Sequence, residues 1–375
     1  MSEINFVEVD AAAIESQMIR DFENALQTTL YPGDERRIFL EQEIQVIVGL
    51  KNNINDAARQ NLLRYMRGVQ LDIYGERVNC PRLPAQMASV TLQWTLSAAQ
   101  ATDIIIEKGK RATPDGQLFF ANAEDLIIPA GQTSGTVKGI ATIAGTAHNG
   151  LTAGQISTIV DPTPFVASVT NIDTSSGGTD IEPDDDGVNI WSGYRERIRL
   201  APTSFSTAGP EDAYVFWAKS ASQNIIDVAP LSPNPGEIQI VVLMADGNAA
   251  SQDILDAVLA ACTPKNRRPL TDSVTAVAAT EVPYNLTVTY YIDQANAEQA
   301  AVIQDAIEGA GGAVEQYILW QRSKLGRAIN PDHFRFLALK AGASRLVVTA
   351  PVFTEIEADE VAIVDTVTIT YGGLE

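Results

Sequence analysis

Apolar positions Ile19, Phe22, Leu26 and Leu30 recur at helical spacing, and Pro32 and Gly33 close that segment before Asp34 offers a cap for the next. The same period predicts a second helix over roughly 34–67. Along it Leu40, Ile44, Ile47, Ile54 and Ala58 form one stripe, interrupted by Lys51, while Phe39, Val46 and Leu50 form another. That surface is wide for one neighbour, so two readings stand: burial within its own domain, or packing of part of it on another chain. Phe39, Leu40, Ile44, Val46, Ile47, Leu50 and Ile54 are the candidates for partner contact.

After Pro81 and Pro84 the period changes to two. Val90, Leu92, Trp94 and Leu96 alternate with Thr91, Gln93 and Thr95, the pattern of a half-buried strand. Short strands are expected around 103–107, 117–121, 125–128, 135–144 and 155–160, separated by Lys-Gly, Pro-Asp-Gly, Pro-Ala-Gly and Asn-Gly turns. This is a small β-sandwich or barrel. The stretch Ser175–Gly187 joins flexible glycines to a carboxylate run, and reads as a solvated linker with Gly177 and Gly178 as hinge candidates. Its carboxylates also suit the positive end of a helix expected from near Val188, carrying Trp191, Tyr194 and Ile198.

Helices and strands mix beyond that point. A helix near 210–222, strands near 225–229 and 237–244, a helix at 251–262 and a strand at 273–280 make one α/β unit. A second has a strand at 284–292, helices at 297–308, 313–322 and 331–341, and strands at 345–350 and 361–370. The expected fold is therefore α+β and multidomain: a helical region 1–80, a β-rich domain 81–174, the linker 175–187, and α/β units at 188–282 and 283–375.

Composition narrows the function classes. At 375 residues, 45% apolar and 19% charged, the chain has the make-up of a folded globular protein with several cores. The net charge of −21 would repel a phosphate backbone, which argues against nucleic acid as a partner. One basic island, Lys265, Arg267 and Arg268, is either an exposed turn or a contact for an acidic neighbour. Cys80 and Cys262 are the only cysteines, so a disulfide framework and a cysteine metal site are excluded. The amino terminus lacks a signal-peptide pattern and no apolar run is long enough to span a bilayer, so cytosolic synthesis without direct membrane insertion is expected.

Candidate chemistry is thin. Imidazole-based triads would have to use His148 or His333, which fall in different units, the first in a turn and the second just after Pro331, where surface or capping roles are expected. Gly145–Gly150 has the glycine spacing of a phosphate loop, but Leu151 stands where lysine is required. Glu182, Asp184, Asp186 and Gly187 imitate half of a calcium loop, yet Gly193 replaces the bidentate glutamate. Trp191, Trp217 and Trp320 could anchor an interface, although each lies at helical spacing with other apolar residues and reads first as core. No catalytic, cofactor or metal residue is assigned.

Several local patterns in fixed order carry a resemblance. They are RLPAQMASVTL at 82–92, EKGKRATPDGQLFFA, IIPAGQTSGTVKGIATIAGTAHNG, VTNIDTSSGGTDIEPDDDG, RERIRLAP, PGEIQIVVLMADG, KNRRPLTDSVTAVAA, and the run from LGRAINPDHF at 325 to 364. Together they resemble the baseplate J-like family of contractile tails from about residue 80 to the end. Lys108-Gly109 departs from the more typical Pro-Ala-Gly, and the first 80 residues match only in general character. The resemblance implies a structural wedge protein without an active site or cofactor, a particle component assembled in the host cytoplasm. It would associate with a second copy of itself and with smaller baseplate proteins, around a central spike and hub and near sheath-initiating proteins. It would close a sixfold ring and change domain orientation to release the sheath. The alternative from the residues alone is a particle-borne hydrolase of cell-wall polysaccharide, acting through paired carboxylates. A surface adhesin, the third reading, predicts a secretion signal.

Overall fold

The computed structural model describes residues 4–206, 208–245, 249–265 and 267–375. The chain divides into two compact units: the residues up to Pro81 with Gly187–Ile190, and Arg82–Asp186 with Trp191–Glu375.

The first unit contains three helices where two were expected: α1 (Ala11–Leu26), α2 (Glu35–Arg59) and α3 (Val69–Arg77). Asp10 caps α1 by accepting from the Ala13 N–H at 2.9 Å. Asp34 caps α2 in the same way through Arg36 N–H, and pairs with the Arg36 guanidinium at 2.6 Å. The second helix stops short of 67 because Gln60 closes a turn, its amide donating to Tyr65 O at 2.9 Å and accepting from Arg67 N–H at 3.1 Å. An extended segment ahead of α1 is clamped by Asn55, 3% exposed, whose side chain accepts from Phe6 and Val7 N–H and donates to Val7 O, each at 2.8 Å.

The second unit opens with the expected β-rich body. Its strands are β1 (Ser89–Leu96), β2 (Ile104–Ile106), β3 (Arg111–Thr113), β4 (Phe120–Asn122), β5 (Leu126–Ile128), β6 (Ser134–Ala141), β7 (Thr158–Ile159) and β8 (Val166–Asn171). Hydrogen bonding orders six of them β7-β3-β4-β6-β1-β8, and β7 touches β8, so the sheet nearly closes into a barrel; β2 and β5 pair separately. The alternation in β1 turns Val90, Leu92, Trp94 and Leu96 inward. Trp94 is fully buried and its indole N–H is satisfied by Asn122 Oδ1 at 3.0 Å. Across from Val90, Gly139 admits Leu92 so closely that a Cβ would lie 2.7 Å from that side chain. Strands β3 and β8 were not anticipated, being short and without a clean apolar alternation.

The rest of this unit is built from α4 (Gly193–Leu200), α5 (Glu211–Lys219), β9 (Ile225–Leu231), β10 (Glu237–Met244), α6 (Gln252–Cys262), β11 (Ser273–Ala278), β12 (Thr280–Ile292), α7 (Ala300–Glu308), α8 (Ala313–Arg322), α9 (Pro331–Lys340), β13 (Arg345–Ala350) and β14 (Glu360–Leu374). The helix expected from Val188 begins only at Gly193, so Trp191 precedes it. Sheet β11-β10-β9 is apolar on both faces. Ile240, Val242 and Met244 pack with Tyr214, Val258 and Cys262 beneath α5 and α6, whereas Val241 and Leu243 pack with Leu325 and Val361 from the C-terminal region. In sheet β13-β12-β14, β12 turns Leu286, Val288, Tyr290 and Ile292 toward Ile307, Tyr317 and Phe334 on α7, α8 and α9. The two α/β regions therefore share a core, and β11 runs into β12 with only Ala279 between them. No helix among the described residues is long and apolar enough to cross a membrane.

Candidate assembly surface and interdomain joint

Helix α2 divides the seven partner-contact candidates into two groups. Leu40 and Ile44 are buried, at 6% and 3% exposure, so they are interior residues and not available contacts; Ile47 is half-buried. Phe39, Val46, Leu50 and Ile54 are each more than half exposed. The four-residue steps 46, 50 and 54 place three of them in one row, on a helix of 25 residues that spans about 37 Å. The row from Val46 to Ile54 runs about 12 Å along it, and large apolar side chains grouped in water in this way are a feature of association surfaces more than of free monomers.

The second feature is the joint between barrel and central region, and here the sequence reading needs correction. Residues 175–186 are not a solvated linker. Ser175, Thr179 and Glu182 are buried, and Ser176 and Thr179 bridge to Ser89 and Gln86. Glu182, 1% exposed, accepts from the Arg197 guanidinium at 2.5 Å and from Leu83 N–H at 2.8 Å. Arg82 donates to Glu182 O and to Asp184 Oδ1, both at 2.6 Å, and its guanidinium lies 4.5 Å from the Tyr194 ring. Arg195 pairs with Asp185 at 3.0 Å, and Lys219 on α5 with Glu196 at 2.8 Å. Burial pushes the Glu182 carboxyl above its ordinary 4.5, against the pull of Arg197 and of the Leu83 N–H. Removing one partner of such a pair costs about 3–5 kcal/mol, because the other charge is left stranded.

The glycines have a different role from the one expected. Gly178 donates to Asn149 Oδ1 at 2.9 Å and accepts from the Asn149 amide at 2.7 Å, and a Cβ there would lie 2.4 Å from Gly145 O. Gly177 has φ +85°, open to glycine but closed to proline. Both belong to the closed end of the barrel.

The residues considered for chemistry are engaged otherwise. His148 was expected at the surface; it is 4% exposed and meets Phe120 edge-on at 5.5 Å, because a short 3-10 turn folds it inward. His333 stacks on Trp320 on the C-terminal region. Both cysteines are buried, and burial pushes the Cys262 thiol up to about 12, away from thiolate reactivity. Arg267 lies 3.8 Å from the Trp217 ring and donates to Ala261 O at 2.7 Å, and Arg268 donates to Thr263 O at 2.9 Å. Those two guanidiniums close the end of α6, while Lys265 is exposed. Trp217 and Trp320 pack against the central and C-terminal cores; Trp191 is 36% exposed. Among the described residues no group of three His, Cys, Asp or Glu is placed to hold a metal ion.

Comparison with known proteins follows these domain bodies. The baseplate J-like protein barrel domain matches residues 91–178, the baseplate J-like central domain 206–278 and the baseplate J-like protein C-terminal domain 284–370. Baseplate protein J of Escherichia phage P2 is 31% identical over 162 residues, 42% of this chain and 51% of that protein, so the match spans about half the length of that relative. A solved structure of the anti-feeding prophage baseplate aligns over 93% of this chain and 89% of its own, at 12% identity and a TM-score of 0.42. With three successive domains of one family matched in order, the chain belongs to the baseplate J-like family.

Proposed function

We propose that this protein is a structural wedge component of a contractile-tail baseplate, in a phage or a related injection particle. The observation that carries the reading is the ordered match of barrel, central and C-terminal domains to one baseplate family. In this role the chain joins a second copy of itself and smaller baseplate proteins in a sixfold ring around a spike and hub, and its domains reorient when the sheath is released. The exposed row Phe39, Val46, Leu50 and Ile54 supports a permanent apolar contact, since obligate interfaces are apolar at their centres. The segment 175–187 is where reorientation is proposed. Catalysis is not part of the proposal. The carboxylates at this joint are engaged by arginines, and no observation favours the hydrolase reading.

Quantitative mass spectrometry of purified particles tests the role. Copies in a multiple of six that survive stringent washing are expected; absence from the particle, or loss on washing, overturns it.

A further inference from the structure

The barrel opens the second unit, and the chain enters and leaves it at neighbouring points. Residues Arg82–Gln86 lead into it and Thr179–Asp184 lead out, and the two runs lie antiparallel. Gln86 N–H donates to Thr179 O at 2.9 Å, Thr179 N–H to Gln86 O at 3.1 Å, and Glu182 N–H to Leu83 O at 3.1 Å. Arg82 fastens one run to the other through Glu182 O and Asp184. The barrel thus hangs on a two-stranded stalk whose members are tied to each other.

Its core is its own, drawing on residues from Ala88 to Val169. No barrel strand packs extensively on a helix or strand of the central region among the described residues. Contacts across the joint concentrate on the stalk: Glu182 with Arg197, Asp185 with Arg195, Arg82 over the Tyr194 ring, the Gln223 amide donating to Asp180 O at 2.6 Å, and the first N–H groups of α4, Tyr194 to Pro183 O at 3.2 Å and Arg195 to Asp184 O at 3.0 Å. Away from it, Lys138 on β6 meets Asp253 on α6 at 2.6 Å, an ion pair exposed on both sides and therefore weak in water.

We propose that the barrel is a separately moving body, hung on this stalk and locked to the central region by the Glu182–Arg197 pair. The inference rests on the proposed role in a particle whose domains reorient. A buried ion pair suits a lock with two settings. Closed, each ion has surrendered hydration and gained its partner; open, each recovers hydration, so the two settings differ far less than an apolar joint of the same size would allow. On opening, Arg82 keeps its bonds to Glu182 O and Asp184 within the stalk and gives up its contact with the Tyr194 ring. The pivot then lies beyond Glu182 and not at Gly178, which is bonded to Asn149 of the barrel, or at Gly177 beside it.

The test uses the full chain with spin labels on Thr136→Cys in β6 and Ala260→Cys in α6, both exposed positions on regular elements; the native cysteines are buried. Pulsed dipolar spectroscopy should give one narrow distance in this background. Adding Glu182→Gln should bring in a second, longer population, while Glu182→Asp, which keeps the charge facing Arg197, should retain the single narrow one. Hydrogen exchange of β1 and β6, followed by mass spectrometry, reports the barrel throughout. An unchanged distance distribution in E182Q, or loss of exchange protection in β1 and β6 with it, overturns the proposal. Because the readout needs no particle, it can fail while the baseplate role holds, and the reverse.

Discussion

The imidazole of His333 lies 3.8 Å from the indole of Trp320, ring centroid to centroid, with the planes 22° apart, and the Arg327 guanidinium lies 4.3 Å from the same indole. Burial first, and the Arg327 charge second, hold this imidazole below its ordinary 6.5. The folded protein therefore favours the neutral ring. Its contribution to stability is present above pH 6.5 and is lost as pH falls below that value toward the lowered one. Melting of the C-terminal region should drop on acidification from about pH 7.5 to about pH 5.5, and His333→Gln, which cannot take up the proton, should flatten that slope. The ring is half-buried, so screening keeps the effect modest. Identical slopes in the two proteins would show that acid sensitivity comes from other groups. A companion case is His148: burying an imidazole against Phe120 without a hydrogen-bond partner for either nitrogen costs stability, which explains why a surface role was the natural expectation from sequence.

At the scale of elements, α2 separates folding from association along one helix. Leu50→Glu places a charge on an exposed position and should leave helicity and melting within about 0.5 kcal/mol of the parent, while abolishing incorporation into particles. Leu40→Ala removes a buried side chain and should cost about 2–5 kcal/mol. Circular dichroism melts and particle assembly, measured on both, distinguish the two; normal incorporation of L50E would remove this face from the interface. From sequence the stripes were visible but their fates were not, since period 3.6 says which residues share a face and nothing about what covers it. Strands with strict alternation, β1 and β12, were legible for the same reason of periodicity. Short strands such as β3, Arg-Ala-Thr, were not, because three residues are too few to show a period, whether the partner is near, as β4 is, or distant, as β7 is. The acidic segment misled for another cause: carboxylates are rarely buried unless paired, and nothing in the spacing showed that Glu182 meets Arg197 on α4 and the Leu83 N–H from the other run of the chain.

Across the second unit, two kinds of joint follow from two kinds of contact. Barrel and central region meet through ions, whereas central and C-terminal regions meet through Val241, Leu243, Leu325 and Val361, flanked by Ile226, Val277 and Ile363. Polypeptide continuity reinforces the second joint, because β11 and β12 are almost one strand: β11 pairs parallel to β10 in one sheet, and β12 parallel to β14 in the next. The Leu325 N–H also donates to Asp227 Oδ2 on β9 at 2.9 Å. An apolar core of this kind resists separation, since each large side chain exposed costs about 1.5–3 kcal/mol. The central and C-terminal regions should therefore unfold as one cooperative body, with the barrel, which has its own core, melting separately. Leu325→Ala should lower that shared transition by about 2–5 kcal/mol and leave the barrel transition in place. Differential scanning calorimetry, with hydrogen exchange of β1 and β6 to mark the barrel, resolves the two. If L325A moved only the melting of helices α7–α9 and left the central sheet untouched, the two regions would be independent bodies, and the motion proposed for the barrel would no longer be the main freedom of this unit.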